Sequence, residues 1–200
     1  MLQHLIAQDE RLRMVPAGRV QLTDAVATAL AELRALPESA DPAKARVLAR
    51  WTGIGLMALG IHDDAIAFLR RALDLATATH NDRAVISTEL NLGDAYRYAG
   101  DAQTAEVLYR RALGAARARH PDLLDYALQH FGKHLMEQGG GSLAQARTHL
   151  REALHMRRAK GDAGLIESTQ AAVDRVELLI SRACSDAAAP AEDRASARPT

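Results

Sequence analysis

Two histidines four residues apart, His130 and His134 in "HFGKH", are the side chains best spaced for chemistry in this sequence. On a helix they share a face, as paired metal ligands do. No Glu follows the first His as zinc peptidases require, and a third ligand would come from another helix, through His149 or His155. They therefore read as surface or groove histidines, with no metal expected. The single cysteine, Cys184, excludes an intrachain disulfide, fits a reducing compartment, and has no obvious basic neighbour to activate it. "GIGLMALG" (Gly53 to Gly60) spaces two glycines by two, but no strand precedes it. A dinucleotide loop needs strand–turn–helix context, so these are packing glycines. "GGGS" (Gly139 to Ser142) is not followed by Lys-Ser/Thr and cannot be a phosphate-binding loop. Without a nucleophile–base or paired-carboxylate constellation, the sequence predicts a non-enzyme with no catalytic residues and no cofactor.

Composition narrows the partners. The 25 basic and 25 acidic residues balance, which argues against bulk binding of nucleic acid or an anionic membrane. Arg outnumbers Lys 22 to 3, a skew better ascribed to genomic base composition than to anion binding. The pairs Arg70–Arg71, Arg110–Arg111 and Arg157–Arg158 read as a solvated outer face rather than a nucleic-acid stripe. The N-terminal "MLQHLIAQDERLRMV" lacks a basic leader and a long apolar core, and no run approaches the roughly 20 apolar residues of a membrane span. A soluble cytoplasmic protein is expected.

What would position these residues is a repeat. Gly93, Gly100, Ala105, Tyr109, Ala112 and Leu113 sit forty residues after Gly53, Gly60, Ala65, Leu69, Ala72 and Leu73. Forward, Gly132, Leu135 and Gly139 match at 39, and Ala146, Leu150, Ala153 and Leu154 at 41, with the difference absorbed in "GGGS". Each unit reads as two helices: the first over 43–59, 83–99 and 123–138, the second over 63–79, 103–119 and 143–159. The small residue of the first helix lets the second approach. Asp82, Asp122 and Asp162 are spaced by 40 where N-caps are expected. Residues 1–42 read as a degenerate leading repeat, with its second helix over 23–36 and a possible first helix over 1–15. Residues 161–183 carry a closing helix, whose apolar stripe should cover the last repeat. Residues 184–200 are expected to be disordered, leaving 1–183 as one domain.

The segment "LGDAYRYAGDAQTAEVLYRRA" resembles the tetratricopeptide repeat family, whose signature is a small residue, an aromatic or Leu three later, a turn Gly, then A-x-x-x-F/Y-x-x-A. The resemblance covers about residues 43–160. Its period of about 40 is similar to the longer-helix versions in kinesin light chains and bacterial peptide-sensing regulators. It implies an all-α, right-handed solenoid of antiparallel helix pairs, with the first helices lining a concave groove that binds protein or peptide. Groove positions carried over from the family fall on Val47, Arg50, Ile54 and Met57 in the first repeat. The second gives Leu90, Asn91, Asp94, Arg97 and Tyr98. The third gives Tyr126, Gln129, His130, Lys133, Met136 and Glu137. Apolar Ile54, Met57 and Met136 would take ligand side chains, while Arg50, Arg97 and Lys133 would hold carboxylates. Asn91 either bonds ligand backbone, as in the similar kinesin-type repeats, or fastens neighbouring helices. Asp94 and Arg97, i and i+3, are placed to pair with each other. Arg50 and Asn91 fit the family's clamp for a C-terminal carboxylate, but Ile54 and Tyr126 do not, so that ligand is not expected.

The implied function is a non-enzymatic protein- or peptide-binding adaptor, scaffold-like, without nucleic acid or membrane as partner. Two alternatives remain: a homo-oligomeric structural scaffold, homodimeric in its simplest form, or a peptide-responsive bacterial regulator acting through a separate output protein.

Overall fold

The computed structural model describes residues 2–188. Eight α-helices follow one another: α1 (Arg19–Arg34), α2 (Pro42–Ala58), α3 (His62–Ala78), α4 (Asp82–Ala99), α5 (Ala102–Arg119), α6 (Leu124–Gln138), α7 (Leu143–Lys160) and α8 (Ala163–Ala188). Each packs on its neighbours in sequence, and α2–α4, α4–α6 and α6–α8 also touch. Only one face of a helix-pair stack allows such skipping contacts, so the first helices of the pairs share an inner face. A long apolar cluster runs from Leu22 through to Val176, with a smaller one of Leu33, Ala49 and Ala72 beside it.

The recurring small residues are where the pairs close. A Cβ added at Gly93 would lie 2.7 Å from the Tyr109 ring, one at Gly53 2.6 Å from Leu69 Cγ, and one at Gly132 2.8 Å from Leu150 Cγ. In each pair the glycine meets the bulky residue of the A-x-x-x-[LY] stripe, so a larger residue would push the helices apart. Helix ends follow capping chemistry. Asn81 and Asp101 accept backbone hydrogen bonds from Ala84 and Thr104, each at 3.0 Å. Of the three expected aspartate caps, Asp162 serves α8 by accepting from the Leu165 amide at 3.0 Å. Asp82 yields the cap to Asn81 and becomes the first helical residue, where its charge still suits the helix N-terminus. Asp122 lies instead in a 3-10 turn (Pro121–Leu123) ahead of α6.

The chain start departs from expectation. Residues 1–15 were expected to supply a helix; the structure shows a 3-10 turn (Leu2–Leu5) and a two-stranded antiparallel hairpin of β1 (Ile6–Gln8) and β2 (Met14–Pro16), with Ile6 opposite Pro16. Its turn is fixed by the Asp9 carboxylate, which accepts from the amides of Arg11 and Arg13, both at 2.8 Å. The Ala17 amide donates to the Leu5 carbonyl at 2.9 Å, closing the base. The hairpin lies across the inner face. The Met14 amide donates to Tyr98 on α4 at 2.7 Å, and Arg13 grips Glu137 on α6 through Nη2 at 2.6 Å and Nε at 3.1 Å. Arg175 on α8 donates to the Glu10 carbonyl. At the other end α8 continues to Ala188 rather than stopping near 183, so residues 184–188 of the expected tail are helical. The rest of that tail, 189–200, lies outside the described residues.

Candidate functional site

The hairpin divides the inner face into two chambers. The α2 chamber has a volume of about 640 Å³ and is walled by Arg50, Trp51 and Ile54 from α2 and by Ile86, Ser87, Leu90 and Asn91 from α4. The hairpin chamber, about 670 Å³, is bounded by Ile6, Gln8 and Leu12 of the hairpin, by Asp94, Arg97 and Tyr98 of α4, and by Gln129 and Lys133 of α6. The first turn of α8 closes its far side with Gly164 and Leu165. Met14, Tyr126 and His130 line both chambers and form the partition.

Polar groups in the hairpin chamber are largely engaged with one another. Asp94 Oδ1 accepts from Tyr109 Oη at 2.7 Å and Arg97 Nη2 at 2.9 Å, while its Oδ2 meets His130 Nδ1 at 2.7 Å. Arg97 also reaches Glu137 at 3.1 Å, and Arg13 completes that chain. Burial alone would push the Asp94 carboxyl up, but His130 and Arg97 hold it well below the usual carboxylate range. Burial pushes the phenols of Tyr98 and Tyr109 up, so both stay neutral; Tyr109 donates to Asp94, and Tyr98 accepts from the Met14 amide. The expected Asp94–Arg97 pair is thus present, but as the hub of a buried network rather than as a free groove surface.

A second network fastens α8. Arg157 donates through Nε to Asp125 at 2.9 Å and through Nη1 to Thr169 at 2.6 Å and to Gln129. Lys160 adds a 2.5 Å contact to Asp125. Arg157 is 1% exposed, so it does not belong to the solvated outer face expected of the arginine pairs, whereas Arg70, Arg71, Arg110, Arg111 and Arg158 are exposed. An arginine is retained there because its planar fork satisfies three partners at once.

The α2 chamber is different. Arg50 has no carboxylate partner among the described residues, and its Nε is buried without a hydrogen bond. Burial, then neighbouring Arg46, lower the Arg50 pKa below its usual value. Asn91 Nδ2 is likewise buried and unpaired, and no side-chain hydrogen bond ties Asn91 to a neighbouring helix among the described residues. Trp51, with Arg50 5.7 Å from its ring centroid, supplies the aromatic surface.

Other expected groove residues are placed as follows. Met57 and Met136 are 1% and 3% exposed and belong to the core, so they offer no free surface in this conformation. Val47 is exposed, Tyr98 is held by the hairpin, and Glu137 is bonded to Arg13 and Arg97. His134, expected at the surface or in the groove, is fully buried between Tyr109 and Phe131, and burial lowers its pKa. It faces α5, the second helix of the preceding pair, with Tyr109 against its ring and Glu106 at 3.9 Å, whereas His130 turns to Asp94 on α4, so the two rings do not share a ligand. Among the described residues no group of three His, Cys, Asp or Glu is arranged to hold a metal, and no helix is long and apolar enough to cross a membrane. Sequence reasoning missed Trp51, the chain's only tryptophan, although it adjoins Arg50. It also missed Met14 and Leu12, for which the sequence carries no signal.

The comparisons agree with this geometry. Residues 48–118 match the family model for the tetratricopeptide repeat. Response regulator aspartate phosphatase H of Bacillus subtilis (strain 168) is 36% identical over 67 residues, which are 34% of this chain and 18% of that protein. The chain therefore spans about a fifth of that relative's length. BtubC (BKLC) from P. vanneervenii superposes with a TM-score of 0.58 at 17% identity, over 85% of this chain and 76% of that one. A kinesin light chain-type protein of Podosopora anserina with nearly identical TPR-like repeats gives 0.59 at 13% identity, over 82% and 81%. At such identities the two structures show the fold alone. Residues 48–118 thus match the tetratricopeptide repeat, and the chain folds as an all-α helical-repeat solenoid like these two structures.

Proposed function

We propose that this protein is a non-enzymatic adaptor that holds an extended segment of a partner protein in the α2 chamber. The observation that carries this is the pair of buried, unsatisfied donors there, Arg50 Nε and Asn91 Nδ2, beside the half-buried Trp51 and a wall of Ile54, Ile86 and Leu90. An unpaired buried donor costs about 1–3 kcal/mol, so it is retained where a ligand satisfies it. Asn91 would donate to a backbone carbonyl of the segment, Arg50 to an acidic side chain, and Trp51, Ile54 and Ile86 would receive an apolar one. Tetratricopeptide repeats are in general protein-binding scaffolds rather than catalysts, which supports the same reading. The local match to a response-regulator phosphatase supports a second one, in which the bound segment changes the output of a separate protein.

The test is selection of proteome-derived segments displayed on phage, against wild type and an Arg50→Glu, Asn91→Ala double variant of matched circular dichroism. Segments retained by wild type should be lost by the variant and should change Trp51 fluorescence. Equal retention moves the interface elsewhere. Failure to retain any segment, together with self-association by light scattering, replaces the adaptor by a homo-oligomeric scaffold.

A further inference from the structure

The α6 ammonium in the hairpin chamber has no counterpart. Lys133 is 5% exposed and makes no hydrogen bond or ion pair among the described residues, yet it lines a cavity of about 670 Å³. Every acid around it is committed. Asp94 is bound by Arg97, His130 and Tyr109, and Glu137 by Arg13 and Arg97. Asp125 holds Arg157 and Lys160, and Asp162 caps α8. Arg97 and Arg157 add repulsion, and burial with these cations lowers the Lys133 pKa to about 8. A buried charge left this way is expensive unless something pairs with it.

We propose that the hairpin chamber is a binding site for a ligand bearing one carboxylate, which pairs with the Lys133 ammonium. One uncompensated cation calls for one negative charge, which favours a carboxylate over a doubly charged phosphate. The volume is that of a small organic molecule and far exceeds an inorganic ion. The walls suit an organic body: Ile6, Leu12, Leu165 and Tyr126 are apolar surfaces, and Gln8 and Ser168 are hydrogen-bonding groups at its edge. Met14 is part of the partition shared with the α2 chamber, so the two chambers adjoin. The carboxylate therefore comes either from a free small molecule or from an acidic side chain of a segment lodged next door. Only the second source rests on the adaptor reading.

The chain has three lysines, Lys44, Lys133 and Lys160, which makes the experiment clean. Reductive ¹³C-methylation gives each its own NMR titration. The probes, at millimolar concentration, are 3-phenylpropionate, N-acetylglutamate α-amide, a glutamate-containing segment from the phage selection, and inorganic phosphate. A bound carboxylate should raise the Lys133 midpoint by about one unit or more, a tenfold preference for the charged amine. The free acids should leave Lys44 and Lys160 unmoved; the segment should leave Lys44 unmoved, since Lys160 lines the α2 chamber. The same probe should raise the Tm of unlabelled wild type and not of Lys133→Met, which decides the matter if Lys133 resists methylation. A response to the free acids identifies a small-molecule source, and a response to the segment alone identifies a side-chain source. No shift with any carboxylate, or a shift with phosphate only, overturns the proposal. The free-acid arm needs no segment in the α2 chamber, so its failure and the failure of the adaptor reading are separately visible.

Discussion

The two chambers use equivalent helices of successive repeats and reach opposite solutions. Around Asp94 the chain supplies its own partners, from Tyr109, Arg97, His130, Glu137 and finally Arg13 of the hairpin. Around Asn91 it supplies none, and Arg50 and Asn91 keep buried donors unpaired. Satisfied polar networks in a low dielectric rigidify, whereas unsatisfied ones cost stability until something binds. One half of the inner face is thus largely self-satisfied and the other is not, although Lys133 and the buried Arg97 Nε stand without a partner inside the satisfied half.

The largest effect should come from breaking the satisfied half. Asp94→Ala leaves Arg97 and the Tyr109 hydroxyl buried without their shared acceptor. Loss of one partner of a buried pair costs about 3–5 kcal/mol, to be read by urea unfolding at neutral pH. The pH dependence sharpens this. The Asp94 carboxyl is held below the usual range when folded, so its contribution is present above the unfolded pKa of about 4 and is lost as pH falls below it. The gap between wild type and variant should therefore narrow in acid. A gap that stays constant down to pH about 2 would mean the network does not act through Asp94 charge.

Lys133 should behave in the opposite sense. Its folded pKa of about 8 lies below the unfolded value, so folding disfavours the ammonium. Below pH 8 the full cost is present; between about 8 and 10.5 the unfolded chain binds more protons and stability rises with pH. Replacing it by the uncharged, similarly shaped Met should stabilise the unliganded protein by about 2–3 kcal/mol at neutral pH. That advantage should shrink as pH rises toward 10. A destabilised Lys133→Met would show that the ammonium has a partner in the free protein.

How much of this contrast was legible beforehand follows from the range of the interactions. The forty-residue echo of Gly53, Gly93 and Gly132 reflects contacts within one helix pair, so spacing alone located the helices and their close approaches. The groove positions came instead from the resemblance to tetratricopeptide repeats, and Met57 and Met136 among them lie in the core. Which of them would be taken internally was not legible, because Arg13 reaches Glu137 across 124 residues and Arg175 reaches Glu10 across 165. The hairpin left no pattern: three-residue strands are too short for an alternation, and Leu2, Leu5, Ile6 and Leu12 imitate a helical stripe. Arg157 resembled a surface charge because its partners Asp125 and Thr169 lie on other helices.

The smallest stability effect should come from Asn91→Ala, and its smallness is the informative part. The substitution removes a buried amide whose donor has no partner in the free protein, which relieves a desolvation cost. It also opens a few atoms of space onto a chamber that is already present, so little packing is lost. The two terms oppose, and the net change in unfolding free energy should stay within about 0.5 kcal/mol. Segment binding, by contrast, should weaken about tenfold, the worth of one hydrogen bond to a buried donor. If Asn91 instead fastens α4 to its neighbours, stability falls and binding falls only with it. Measuring both on the same variant therefore separates a receptacle from a strut at the one residue for which the sequence left the two readings open.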